Sequence, residues 1–172
     1  MQRVLVIGSG GAGKSAFAVR LGRATGLPVI HLDAAYWQPG WQEPSKDAWA
    51  ARVTQLLAGA HWIMDGNYGG TLEQRLAACD TVVFLDMPRL LCIWRVLKRF
   101  VQYRGRTRPD LTAGCPEQLT WAFLSWIWTY PAQRRPRVLA RLARLAPGQQ
   151  ALIFHSPRAV DAFFDSLRGQ RA

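Results

Sequence analysis

The octapeptide Gly8-Ser9-Gly10-Gly11-Ala12-Gly13-Lys14-Ser15 decides the reading of this chain. It follows the apolar run Val4 to Ile7 and opens a helix-like segment that Gly26 and Pro28 bring to a stop. A glycine-rich turn between a strand and a helix lets backbone N–H groups curl around an anion, and the helix N-terminus adds the positive end of its dipole. The complete spacing G-x-x-x-x-G-K-S supplies two side chains that a purely structural turn does not need. Lys14 is placed to reach the β- and γ-phosphates of a nucleoside triphosphate, and the Ser15 hydroxyl to ligate magnesium. Phosphate contacts are therefore expected through Gly8, Gly10, Gly11, Ala12, Gly13, Lys14, Ser15 and Ala16, with ATP and Mg2+ as the implied cofactors.

Outward from this loop, strand-like runs alternate with helix-like segments: Val4 to Ile7, Val29 to Leu32, Trp62 to Met64, Thr81 to Leu85 and Ala151 to Phe154. Each gap can hold a crossover helix, the pattern of a parallel sheet covered on both faces. Ser45 is expected to cap a helix running to Gly59, Thr71 and Gln74 to form a capping box, and Ser156-Pro157 to start the last helix. Pro88 to about Arg104 reads as one long basic helix. A polar, turn-rich stretch from Gly105 to Pro116 then leads into a helix carrying Trp121, Phe123, Trp126, Trp128 and Tyr130. The expected fold class is α/β: a three-layer P-loop NTPase fold with a five-stranded parallel sheet, helices on both faces and a helical lid. All 172 residues form a single domain in this reading.

With 49% hydrophobic and 19% charged residues the composition is that of a globular chain and excludes the disordered class. A formal charge of +11 points to an anionic partner, which a local anion clamp or a nucleic-acid face would each satisfy. Cys79, Cys92 and Cys115 stand far apart, the spacing of neither a disulfide framework nor a zinc site. The chain begins Met1-Gln2-Arg3 and enters an apolar strand directly, without the layout of a signal peptide. Its most apolar later stretch, Leu119 to Tyr130, is shorter than the ~20 residues that span a bilayer. The expected location is cytoplasmic, with no membrane among the partners.

Asp33, Asp65 and Asp86 each follow a strand, and in an open α/β sheet the carboxyl ends of the strands border the ligand crevice. Asp65, followed by Gly66, is expected with Ser15 in the magnesium shell, although Asp-Gly also reads as a simple turn. Asp86 precedes Met87-Pro88 and reads as a helix cap. Arg95 and Arg99 lie one helical turn apart, so both can point at phosphates; a solvated basic face gives the same spacing. Tyr36, Trp37 and Trp41 can line an acceptor pocket or pack on the next helix. His31 reads as structural.

These segments resemble the adenylate kinase-like group of P-loop kinases: the N-terminal loop, Trp62-Ile63-Met64-Asp65-Gly66, Val83-Phe84-Leu85-Asp86-Met87-Pro88 and the arginine-rich helix. Almost the whole chain resembles the DNA topology modulation (FlaR-type) P-loop proteins, through HLDAAYWQPGWQ, WIMDGNYGGTLEQRL, FLDMPRLLCIWRVLKR, YRGRTRPDLTAGCPE and FLSWIWTYP. The kinase resemblance implies a lid from about residue 99 to 137, whose arginines close over the transferring phosphoryl group, and a base-side loop at His155-Ser156-Pro157-Arg158. Where adenylate kinases carry Asp-Gly-Phe-Pro-Arg after the third strand, this chain has Asp65-Gly66-Asn67-Tyr68-Gly69. The acceptor-phosphate arginine is thus missing, with Arg75 the candidate replacement. Nucleoside, shikimate and gluconate-type kinases resemble this chain in placing an acid after the second strand, which implies Asp33 as base or acceptor anchor.

Two functions are expected from this. One is transfer of the γ-phosphoryl of ATP to a nucleoside, nucleotide or small hydroxyl acceptor, with Lys14, Asp33, Arg95 and Arg99 as the catalytic residues. The other is a nucleotide-dependent DNA-binding protein without turnover, against which stands the lack of any DNA-reading signature.

Overall fold

The computed structural model describes residues 1–108 and 110–169. Five strands, β1 (Arg3–Gly8), β2 (Val29–His31), β3 (Trp62–Asp65), β4 (Thr81–Leu85) and β5 (Gln150–Phe154), form one sheet in the order β2-β3-β1-β4-β5. Every pairing is parallel, with Val4 opposite Ile63 on one side and Thr81 on the other. β1 is therefore the central strand, and its C-terminal end delivers the glycine-rich loop to the middle of the sheet edge.

The central strands β1, β3 and β4 are apolar through their middles because both faces are covered, whereas β5 at the sheet edge stays largely exposed. Val4 and Val6 of β1, Ile63 of β3, and Val83 and Leu85 of β4 face one core with Phe17, Ala18, Leu21, Cys92, Val96, Ile127 and Phe164. Leu5, Ile7, Trp62, Met64, Val82 and Phe84 face the other with Trp49, Val53, Leu72, Leu76, Tyr130 and Leu142. The first face is covered by α1 (Lys14–Thr25), α5 (Arg89–Gln102), α6 (Trp121–Gln133) and α8 (Pro157–Gly169). The second is covered by α3 (Lys46–Leu57), α4 (Leu72–Ala78) and α7 (Arg135–Leu142). This is the expected three-layer α/β arrangement.

The element ends depart from the sequence expectations in instructive ways. β2 stops at His31, and Leu32 opens a short helix, α2 (Leu32–Tyr36). Thr71 makes no capping bond; its hydroxyl donates to the Tyr68 carbonyl, and Gln74 reaches Thr54 instead. Asp86 does not cap α5, because its carboxylate accepts from the Arg135 guanidinium, at 2.8 and 2.9 Å, and lies 3.1 Å from His155 Nδ1. Ser45 caps α3 as expected, accepting from the Ala48 N–H, and Gly26 ends α1 in the left-handed region.

The three cysteines are buried free thiols. No helix among the described residues is long and apolar enough to cross a membrane.

Candidate functional site

The carboxyl ends of β1, β2 and β3 open into a cavity of about 1580 Å³. Gly10, Gly11, Gly13, Lys14, Ser15 and Ala16 form its floor, with Arg95 and Arg99 of α5 above them. His31, Asp33, Trp37, Trp41, Glu43, Asp65 and Tyr68 line one end, while Arg20, Arg23, Phe164 and Arg168 line the other.

The loop's conformation depends on its glycines. Gly11 and Gly13 sit at φ 74° and 98°, where a side chain is strained. A Cβ on Gly11 would stand 2.2 Å from the Cys92 carbonyl oxygen, and one on Gly10 2.6 Å from the Phe123 ring. The glycines thus shape the phosphate cradle and also admit α5 and α6 against it. Among the described residues, the N–H groups of Gly13, Lys14, Ser15 and Ala16 have no hydrogen-bond partner, as expected for the first turn of a helix that faces an anion. Two loop residues are already engaged. The Ala12 N–H donates to the Ser9 carbonyl, and Gly8 is latched at both its N–H and its C=O by the Asn67 amide, at 3.3 and 2.7 Å.

Lys14 Nζ donates to the carbonyls of Gly8 and Ser9, at 3.2 and 3.0 Å, and so lies folded back along its own loop. Burial lowers its pKa, and the charges of Asp33 and Asp65 pull it back up. Arg95 Nη1 donates to the Ala12 carbonyl at 3.0 Å. Arg99 Nε donates to Glu117 Oε1 at 2.8 Å, and Arg108 pairs with the other oxygen of the same carboxylate and with Asp110. Glu117 is thereby a buried acid holding both Arg99 and Arg108. Burial, then the Arg108 charge, lowers the Arg99 pKa.

On the far side Asp65 is buried, and its Oδ1 lies 2.8 Å from His31 Nδ1. That hydrogen bond raises the His31 pKa against the opposing effect of burial. The Tyr68 hydroxyl donates to Asp33 Oδ1 at 2.8 Å. Burial first and the Asp33 charge second push the Tyr68 pKa up, so the phenol stays protonated.

Arg75 is fully buried under the loop after β3. It donates to the carbonyls of Gly66 (2.9 Å), Asn67 and Tyr68 (2.9 Å), and to the Thr71 hydroxyl. It does not line the cavity and cannot hold an acceptor phosphate. Four partners missed by sequence reasoning complete the site: Asn67, Tyr68, Glu117 and, as the ligand of Asp65, His31. Only Glu117, an acid in an arginine-rich stretch, carried a visible signal.

No protein-family model matches the chain, and no curated protein matches it. Solved structures do. The chain is similar to a shikimate kinase from Acinetobacter baumannii in complex with shikimate, at TM-score 0.63 and 14% identity over 99% of this chain and 92% of that one. It is similar to a shikimate kinase from Bacteroides thetaiotaomicron at TM-score 0.52 and 14% identity over 98% and 97%. A deoxyadenosine kinase from M. mycoides gives TM-score 0.51 and 11% identity over 97% of each chain. At such identities the likeness concerns the fold alone, which this chain shares with those kinases.

Proposed function

We propose that this protein is a phosphotransferase that moves the γ-phosphoryl of ATP to the hydroxyl group of a small acceptor lacking a phosphate. The observation that carries the reading is Asp33. Its carboxylate lines the same cavity as Lys14, with Oδ1 fixed by the Tyr68 hydroxyl and Oδ2 left to take the acceptor's proton.

The phosphates would lie on the unpartnered N–H groups of Gly13 to Ala16, with Lys14 turning from its loop carbonyls to the β- and γ-oxygens. The donor set fits magnesium: the Ser15 hydroxyl lines the cavity, and Asp65 stands across it to act through water. The metal supplies neutralisation of charge on the phosphate oxygens. Arg95 and Arg99 neutralise the transferring group, with Glu117 holding Arg99 and Arg108 in place; within the proposed lid, residues 99 to 137, the part that closes is the span between α5 and α6. Catalysis in this scheme is positioning plus electrostatics.

A phosphorylated acceptor is disfavoured by the same geometry. Arg75 is spent on the backbone, and Arg99 and Arg108 are paired with Glu117, Arg108 also with Asp110. Asp33 and Glu43 would repel a monophosphate there. Trp37 and Trp41, 5.1 Å apart edge to face, offer an apolar wall for a ring.

The DNA-binding reading draws on the +11 charge, but Arg95, Arg99 and Arg108 are turned into the cavity and away from any duplex. Screening ATP and magnesium with nucleosides, sugars, alcohols and monophosphates for ADP release tests the proposal. ADP release that depends on a hydroxyl acceptor is expected; turnover with monophosphates alone would replace this reading by a nucleotide kinase.

A further inference from the structure

The charge of this protein is not spread over it. Between Met87 and Val160 there are 13 Lys and Arg and only two acids, Asp110 and Glu117, a surplus equal to the whole chain's +11. Outside that segment, nine cations balance nine acids. Both acids inside it are consumed by Arg99 and Arg108.

The same segment carries nearly all the misplaced apolar surface. Of the eight large hydrophobic side chains that stand exposed among the described residues, six are on α5 and α6. Leu90 (68%), Trp94 (55%), Leu97 (41%) and Val101 (76%) follow one another at helical spacing along α5, on the face opposite Cys92 and Val96, which are buried in the core. Trp121 (87%) and Trp128 (48%) stand on α6, which packs beside α5. The Arg89 guanidinium lies 4.0 Å from the Trp128 ring centre, joining the two helices, and Lys98 Nζ lies 5.2 Å from the Trp94 ring. Apolar stripes of this kind on a folded surface mark a contact made elsewhere.

We propose that the outer face of α5 and α6 docks onto an anionic membrane surface. Neither helix contains an acidic residue, and the described cations beside the stripe, Arg89 and Lys98, lie against tryptophan rings, so negative charge for them comes from outside. A second copy of this chain would bring the same positive face and be repelled. Nucleic acid would satisfy the charge and could stack on tryptophan, but it offers nothing to Leu90, Leu97 and Val101, which no base or phosphate rewards. An anionic bilayer satisfies both halves. Aliphatic side chains enter the acyl boundary, tryptophans settle at headgroup depth, and Arg89 and Lys98 reach the lipid phosphates. A spanning segment is not needed for this, so its absence does not bear on the inference. Arg95 and Arg99 leave α5 on the cavity side, so docking leaves the site open.

The test is sedimentation of the whole protein with phosphatidylcholine vesicles with and without phosphatidylglycerol, across a salt series. Binding to the anionic vesicles only, weakening as salt rises, is expected. Leu90→Glu/Trp94→Glu/Val101→Glu should lower vesicle partition by about tenfold or more while leaving ATP affinity unchanged. Should that variant fail to fold, brominated lipid in the wild-type experiment gives the same answer through quenching of tryptophan fluorescence. The proposal is overturned by failure to bind anionic vesicles, by binding that a correctly folded triple variant retains, or by DNA binding that persists where vesicle binding is absent. It is equally overturned if the triple variant only converts a dimer to a monomer.

Discussion

The two ends of the cavity are built by different means. The phosphate end is made of backbone: consecutive N–H groups of one loop, held by glycines whose Cβ would meet Cys92 or Phe123. The Asp33 end is made of side chains: His31 to Asp65 and Asp33 to Tyr68 are brought from distant segments, while Arg108 is held nearby by Asp110 and Glu117. A backbone cradle recognises phosphate and little else, whereas a side-chain pocket can change its acceptor one residue at a time. In the proposed reaction the donor chemistry is thus fixed by geometry, and the acceptor chemistry is the adjustable part.

The largest test of this contrast is Lys14→Ala. Loss of a charge from the transferring phosphoryl is expected to cut turnover by about 10³ to 10⁵-fold, with the fold intact by circular dichroism. Wild-type turnover in a folded variant would remove the phosphate end from the argument. Asp33→Asn comes next, with a fall in kcat of about 10² to 10⁴-fold and nearly unchanged ATP affinity by titration. An equal loss in ATP affinity would mean that the two ends are not separable.

Arg75→Met probes how the side-chain end is held up. It leaves the Gly66, Asn67 and Tyr68 carbonyls without their donor, at a cost of about 3 kcal/mol and a fall in melting temperature of roughly 6 to 12 °C. Acceptor turnover should fall with it, because Tyr68 orients Asp33. Unchanged melting would show the guanidinium to be dispensable. The smallest effect is expected from His31→Gln. Since the folded His31 pKa is raised, the His31–Asp65 pair contributes fully below the ordinary histidine value of about 6.5, and its contribution is lost as pH rises through the raised value. The gap in melting temperature between wild type and His31→Gln should therefore close as pH increases through that window; a gap constant with pH would refute the protonated pair.

Much of this was legible in the sequence where the signal was local. The glycine loop lies within eight consecutive residues, and each of the five strands contains an apolar run, longest in the central strands β1 and β4, which are buried on both faces. Asp33 could be placed because it follows the apolar run Val29 to Leu32, although the strand itself stops at His31. The rest was hidden for one reason. Asn67 reaches Gly8 across 59 positions, Tyr68 reaches Asp33 across 35, and nothing in either tripeptide marks the partner. Arg75 misled in the opposite direction: an arginine on the helix after β3 reads as a replacement for the acceptor-phosphate arginine, yet three carbonyls turned inward by the loop gave it a better partner than any ligand.

Gly10 and Gly11 also set which parts of the molecule can move independently. With Phe123 of α6 resting on one and the Cys92 carbonyl of α5 on the other, the two helices and the phosphate cradle form a single stiff block. A swing of either helix would pull the cradle out of shape, so the rocking part of any closure is confined to the span between them. Gly105, at φ 70° with no backbone or side chain crowding it, gives that span a pivot near α5, while further along it the Gly114 carbonyl is tied down by the Gly40 N–H.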